Sequence, residues 1–240
     1  MVFDLDGVLV ESEHLWEENW TAHAGQSGYA WSEGDTATVQ GMSVPEWSGY
    51  MAERLGDGQR AEAIATAVID GMIAALDAGR VELLPGAAAM VETAAAGVPI
   101  AVASSAPKRL IEAVLTATGL LALFGSTVSS EEVPRGKPSP DVYQEAARRL
   151  GLDAARCIGV EDSSNGIRAA AAAGMTVVAI PNPVYPPKPD ALALCAMIAA
   201  SPDEVRRYLE ERLTTRRAAA GHHAAGRRSG TAEGGKGGAA

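Results

Sequence analysis

Met1-Val2-Phe3-Asp4-Leu5-Asp6-Gly7-Val8-Leu9-Val10-Glu11-Ser12-Glu13 opens the chain, and the fold is decided there. The apolar run Met1 to Phe3 reads as the end of a buried strand. Side chains two apart on an extended segment point the same way, so Asp4 and Asp6 can face one pocket. Two carboxylates that close repel, and either a proton or a cation must sit between them. Gly7 lets the chain turn sharply after the pair. The plainer reading is a strand end followed by an acidic turn. The residues downstream decide between them.

The chain has 240 residues, enough for one domain carrying an insert. Nearly half of it is apolar and alanine is abundant, which favours helices around a large core. A formal charge of -10 argues against nucleic acid or an anionic membrane as partner. It also means that an anionic substrate needs local positive charge. Cys157 and Cys195 lie in apolar runs without a Cys-x-x-Cys, the pattern of free thiols in a reducing compartment. No secretory signal precedes the first motif and no apolar stretch reaches membrane length, so a cytoplasmic monomer is expected.

From His14 to Leu83 the spacing is helical. His14 to Ala24 is amphipathic, Gly25 to Thr38 reads as a connection, Ser43-Val44-Pro45-Glu46 starts a helix running to Leu55, and Arg60 to Ala78 forms another. Beyond Leu84 short apolar strands alternate with helices of about ten residues. Strands are expected at 98–103, 127–128, 157–160 and 175–180, with a last one within 192–198. Helices are expected from Pro85, Pro107, Pro140, Ser164 and Pro202, the last ending at Leu213. This alternation predicts an α/β fold, a Rossmann-like parallel sheet covered by helices on both faces. Residues 1–13 and 84–213 form that core, and 14–83 are an inserted all-helical cap domain. Residues 214–240 collapse to Ala, Gly, Arg and His and read as a disordered basic tail.

Three further stations stand out. Ser104-Ser105 ends a strand just before a helix, where a hydroxyl and free backbone N–H groups suit an anion, or simply cap the helix. Gly136-Lys137-Pro138-Ser139-Pro140-Asp141 places a lysine between turn formers, in a chain with four lysines against sixteen arginines. Glu161-Asp162 closes another strand beside the helix start Ser163-Ser164, where acids could cap the helix. With Asp4 and Asp6 they make an oxygen-rich set for a hard cation such as Mg²⁺. In parallel α/β sheets, sites collect beyond the C-terminal ends of the strands.

Phe3-Asp4-Leu5-Asp6-Gly7-Val8, Ser104-Ser105, Gly-Lys-Pro-Ser-Pro-Asp and Glu161-Asp162-Ser163 resemble, in order, the four motifs of the haloacid dehalogenase superfamily, in its phosphatase and phosphoglucomutase branch. Such chains carry a longer first strand. Met1 lies almost on the motif, so either the strand is short here or the natural start lies upstream. The resemblance implies that Asp4 is the nucleophile and Asp6 the general acid and base. It gives Ser104, Ser105 and Lys137 to the phosphate, and the metal to Asp4, Asp6 through its backbone carbonyl, Glu161 and Asp162. The cofactor implied is Mg²⁺ and the substrate a small phosphorylated metabolite, a sugar or polyol phosphate, with Trp16, Trp47 and Glu46 among the cap residues that would face it. A β-phosphoglucomutase-like reaction is the alternative. Trp16 and Val44 stand where that branch carries a histidine and a phosphate-gripping arginine, which weighs against it. A non-catalytic phosphate-binding module is the remaining reading.

Overall fold

A computed structural model describes residues 1–56 and 60–228, the side chains of 216–228 excepted. In chain order the regular elements are β1 (Val2–Phe3), β2 (Val10–Glu11), α1 (Glu13–Gln26), α2 (Glu33–Val39), α3 (Val44–Leu55), α4 (Ala61–Asp77), β3 (Glu82–Leu83), α5 (Ala87–Ala95), β4 (Ala101–Ser104), α6 (Lys108–Ala117), β5 (Ser126–Ser129), α7 (Asp141–Arg149), β6 (Ile158–Glu161), α8 (Ser164–Ala172), β7 (Thr176–Ala179), α9 (Pro189–Leu192), β8 (Met197–Ile198) and α10 (Pro202–Arg228). Six strands form one sheet in the order β5-β4-β1-β6-β7-β8, every pairing parallel. β1 is central, with Val2 level with Ala101 and Gly159, and Phe3 level with Val102 and Val160.

The two-residue period of a strand explains why both faces are covered. Val2, Ala101, Ala103, Val177 and Ala179 pack with α7, α8 and α9 on one side. Phe3, Val102, Val160 and Val178 pack with α5, α6 and α10 on the other. The pleat thus splits each apolar run between two cores. Burying one large apolar side chain such as Phe3 contributes about 1.5–3 kcal/mol. A two-residue β1 holds the centre because its neighbours satisfy the backbone beyond it: Ala101 N–H donates to the Met1 carbonyl and Asp4 N–H to the Val160 carbonyl, each at 3.0 Å.

The insert between β2 and β3 is helical, as its spacing predicts, and its core of Leu15, Trp20, Trp47, Met51, Ile64 and Met72 is continuous with the Phe3 side. Four features differ from the sequence reading. Gly25 to Thr38 is not all connection, because Ser32 and Asp35 form a capping box that starts α2. Where the insert leaves and rejoins the sheet domain, β2 and β3 pair antiparallel, Val10 with Leu83 and Glu11 with Glu82. A short helix, α9, precedes β8. And α10 does not stop at Leu213 but runs to Arg228, through residues read as tail, since alanine and arginine are strong helix formers. Residues 229–240 of that expected tail lie outside the described residues. Cys157 and Cys195 are free thiols. Among the described residues no helix is long and apolar enough to cross a membrane.

Candidate active site

Asp4 follows β1, Ser104 ends β4, Lys137 lies in the loop after β5, and Glu161 ends β6 with Asp162 behind it. Parallel register puts all of these at one edge of the sheet, and most of them line a single cleft under the helical insert. Lys137 Nζ donates to Asp4 Oδ1 at 2.7 Å and to Glu161 Oε1 at 2.6 Å. All three side chains are buried, the lysine at 2 % exposure. An ammonium that far from water stays charged only beside anions. Desolvation works to neutralise it, but Asp4 and Glu161 outweigh that and hold its pKa above the ordinary value.

Glu161 is saturated with donors. Tyr143 OH reaches the Lys137-bound oxygen at 2.6 Å, and the other oxygen accepts from Asp162 N–H at 3.1 Å, Ser163 N–H at 3.3 Å and Ser163 Oγ at 3.2 Å. Gly166, on α8, allows this packing: a Cβ there would fall 1.9 Å from the Glu161 carboxyl carbon. Asp162 is the opposite case. Its Oδ2 is buried and has no hydrogen-bond partner. Gly7, at φ +74°, passes directly over it, and a Cβ would stand 2.1 Å from that oxygen. A buried acceptor without a donor calls for something the protein does not itself supply.

Carboxylate oxygens of Asp4, Glu161 and Asp162 lie within 4.8 Å of one another, all buried. Burial, first of all, pushes Asp4 up to about 8. Lys137 pulls it back, and Glu161 and Asp6 raise it again. Asp162 is driven well above the carboxylate range by burial and then by Glu161, Glu13 and Asp4. Asp4 and Asp162, both held toward the protonated form and the second with an orphaned oxygen, fit a hard divalent cation, which takes oxygen ligands and replaces the missing proton.

Asp6 points the same way along the chain but is held differently. Its Oδ1 accepts from the Ser12 hydroxyl and, at 3.1 Å, from Trp16 Nε1. Burial raises its pKa, and these two donors offset part of the rise. Ser104 is buried and its Oγ accepts from Ala106 N–H at 3.0 Å, which turns the chain into α6. Ser105 lines the cleft too, but its hydroxyl donates across the domain boundary to the Gly41 carbonyl of the insert at 3.3 Å.

Of the cap residues singled out in the sequence, Trp16 and Trp47 line the cleft. Glu46 does not; it is the capping-box acid of α3, accepting from Ser43 N–H at 2.8 Å. Sequence reasoning missed Trp20, Val39, Gln40 and Met42, which also line it, and gave Glu13 no role of its own. Glu13 is pushed up to about 7, mainly by burial and then by Asp6, with the Gln40 side chain opposing. The available signal for Glu13 and Trp20 was helical spacing: with Trp16 they fall three, four and seven residues apart on α1, and so on one face.

Residues 1–174 match the family model described as haloacid dehalogenase-like hydrolase. The chain belongs to that family. It is 33% identical over 192 residues to protein CbbY of Rhodobacter capsulatus, covering 76% of this chain and 85% of the relative. Hexitol phosphatase B of Escherichia coli K12 is 32% identical over 188 residues, covering 76% and 83%. A variant of CbbY from Rhodobacter sphaeroides, solved in complex with xylulose-1,5-bisphosphate, superposes with a TM-score of 0.74 at 26% identity, covering 84% of this chain and 93% of that one. With these relatives the chain is an enzyme, a phosphoric monoester hydrolase of the haloacid dehalogenase-like family.

Proposed function

We propose that the chain hydrolyses a small phosphorylated sugar or polyol with Mg²⁺ bound, through a phosphorylated Asp4. The observation that carries this reading is the buried contact of Lys137 with Asp4 and Glu161, beside the unpartnered Asp162 oxygen. Asp4, Asp162 and the Asp6 carbonyl would hold the cation. Glu161, with its donors in place, orients Lys137 and the Asp162 backbone. When bound, the cation supplies charge neutralisation at the phosphoryl oxygens and keeps Asp4 ionised.

The residues then divide the work. An Asp4 oxygen attacks phosphorus in line while the bond from phosphorus to the leaving alcohol breaks. Asp6 gives that alcohol its proton. The raised pKa of Asp6 suits a group that must arrive protonated. In the second step Asp6 takes a proton from water as the water oxygen attacks phosphorus. The acyl-phosphate bond breaks, and inorganic phosphate and free Asp4 result. Lys137, the Ser104 hydroxyl and the backbone N–H groups of Leu5 and Asp6 hold the charge that spreads over the phosphoryl oxygens. The insert closes over the cleft and excludes bulk water, its hinges lying beside the β2–β3 ribbon. The relatives named for hexitol phosphate and bound to xylulose bisphosphate support a sugar or polyol ester.

Phosphate release from p-nitrophenyl phosphate and a panel of sugar and polyol phosphates, with Mg²⁺ and with EDTA, tests this against Asp4→Asn. Release that needs Mg²⁺ and Asp4 is expected. Equal release from both proteins would overturn the mechanism. Conversion of glucose 1-phosphate, primed with a bisphosphate, to its isomer without phosphate release would replace it with a mutase.

A further inference from the structure

The cleft has two walls of different chemistry. Its core side carries the carboxylates and Lys137. On the insert side Trp16, Trp20 and Trp47 stand with ring centroids 5.7 to 6.2 Å apart, and Val39 and Met42 extend that apolar surface. Among the described residues Lys137 is the one cationic side chain lining the cleft, and it is already shared between Asp4 and Glu161. The apolar wall therefore offers an anion nothing to pair with, and Glu13, close to Asp6, adds an acid to the cleft. Two donors are unused, Gln40 Nε2 and one indole. Trp16 Nε1 serves Asp6, but Trp20 Nε1 belongs to a side chain 4 % exposed and has no partner. Buried indole N–H groups ordinarily find one.

Resting on the phosphatase reading, we propose that this cleft selects esters with a single phosphate and an uncharged alcohol half, which lays an apolar flank on the three tryptophans and presents an acceptor oxygen to Trp20 Nε1. Bisphosphates are excluded. A second phosphate would be stripped of water against indole rings and an acid, with no guanidinium or ammonium to receive it. The flank of a hexitol or of a cyclic polyol meets the requirement, having C–H groups on one side and hydroxyls on the other. The chain would thus part from its relative bound to xylulose-1,5-bisphosphate while sharing its fold.

Three esters test this with Mg²⁺ present: phenyl phosphate, a hexitol 6-phosphate and the matching 1,6-bisphosphate. The expected result is a kcat/KM for the bisphosphate roughly tenfold or more below that of the monophosphate. Trp20→Phe keeps a ring and removes the donor. It should raise the ratio of KM for hexitol phosphate to KM for phenyl phosphate about fivefold, with a smaller effect on kcat. Met42→Arg, placed at the half-buried edge of the tryptophan wall, should narrow the gap between bisphosphate and monophosphate. A bisphosphate cleaved as well as its monophosphate by the unaltered enzyme overturns the inference, and that comparison needs no variant. An unchanged KM ratio in folded Trp20→Phe removes the indole donor from it. The phenyl group carries no hydroxyl to meet the indole, so hydrolysis of phenyl phosphate, and the loss of that hydrolysis in Asp4→Asn, checks the phosphatase reading separately. Release from none of the three esters would sink both together.

Discussion

Replacing Lys137 by methionine keeps most of the side-chain volume and removes the one charge that holds Asp4 and Glu161 together. Breaking a buried pair by deleting one partner costs about 3–5 kcal/mol, because the remaining charge is left uncompensated. Its pH dependence separates this cause from simple mispacking. The folded Asp4 carboxyl sits at about 8 against an ordinary 3.8. A carboxyl raised in this way binds more protons folded than unfolded between those two values, so stability falls as pH rises through that window. Lys137 limits the fall by pulling Asp4 down. At pH 5, Asp4 is protonated in both proteins, and Lys137→Met loses only its link to Glu161. At pH 9, above that value, it loses both links. We expect the variant to melt about 10 °C below wild type at pH 9 without divalent cations, taking ~2–4 °C per kcal/mol for a chain of this size, and by a visibly smaller margin at pH 5. Thermal unfolding followed by circular dichroism reads this directly. An equal drop at both pH values, or a larger one at pH 5, would show that the lysine acts by packing and not by charge.

Titrating the apo protein with Mg²⁺ at pH 7 in weak buffer should release protons, since Asp4 and Asp162, both raised by burial, must ionise on binding; Asp162→Asn should abolish both the release and the accompanying rise in melting temperature, which would reach ~2.7 kcal/mol of stabilisation at a hundredfold excess over Kd. Gly7→Ala places a methyl group 2.1 Å from Asp162 Oδ2 on a residue at φ +74°, so a folded variant should lose Mg²⁺-dependent activity by two orders of magnitude or so and melt lower by at least the ~1–2 kcal/mol of left-handed strain. Ser105→Ala removes a hydroxyl bond between the sheet domain and the insert; limited proteolysis should cut the insert boundaries faster and KM should rise a few-fold, in line with ~1 kcal/mol for one hydrogen bond.

What the sequence made legible follows physical periodicity. Val2-Phe3, Val102, Val160 and Val178 are apolar and β-prone, and from Leu84 to β7 the strands alternate with helices of nine or ten residues, so a parallel sheet was the economical solution. Once it exists, its register gathers Asp4, Ser104 and Glu161 at one edge although they lie far apart in the chain. What stayed hidden lacks a repeating pattern. β2 and β3 have two residues each, too few to alternate. α2 begins at a capping box written with aspartate and holds Gly34, so its composition imitates a loop. The division of labour between Glu161 and Asp162 could not be read from two adjacent acids. It depends on Tyr143, which arrives from α7, and on Gly7, which follows the neighbouring strand β1 although it is far away in sequence. The tryptophan wall was half legible: Trp16 and Trp47 stood out by composition, while Val39 and Met42 enter the cleft by tertiary packing alone.

The charge inventory of the cleft sets the last prediction. Among the described residues Asp4, Asp6, Glu13 and Asp162 line it with only Lys137 in opposition, in a chain that is already acidic. A phosphate dianion enters such a site only if carboxylates are neutralised, and two routes exist. On the proposed mechanism, protonation of Asp4 would admit the phosphate but destroy the nucleophile, since the proton occupies the carboxylate that must attack. Asp4 and Asp162 would hold a cation, whose charge would admit the phosphate and leave Asp4 ionised. The two routes compete for the same oxygens, so the pH profile must depend on cation concentration. With scarce Mg²⁺ the ascending limb of kcat/KM should have an apparent pKa near 8, the value Asp4 has without the cation. Each tenfold increase in Mg²⁺ should move that limb toward lower pH by about one unit, or ~1.4 kcal/mol, until the site saturates. An ascending limb that stays in place across three decades of Mg²⁺ would mean that proton and cation do not share Asp4.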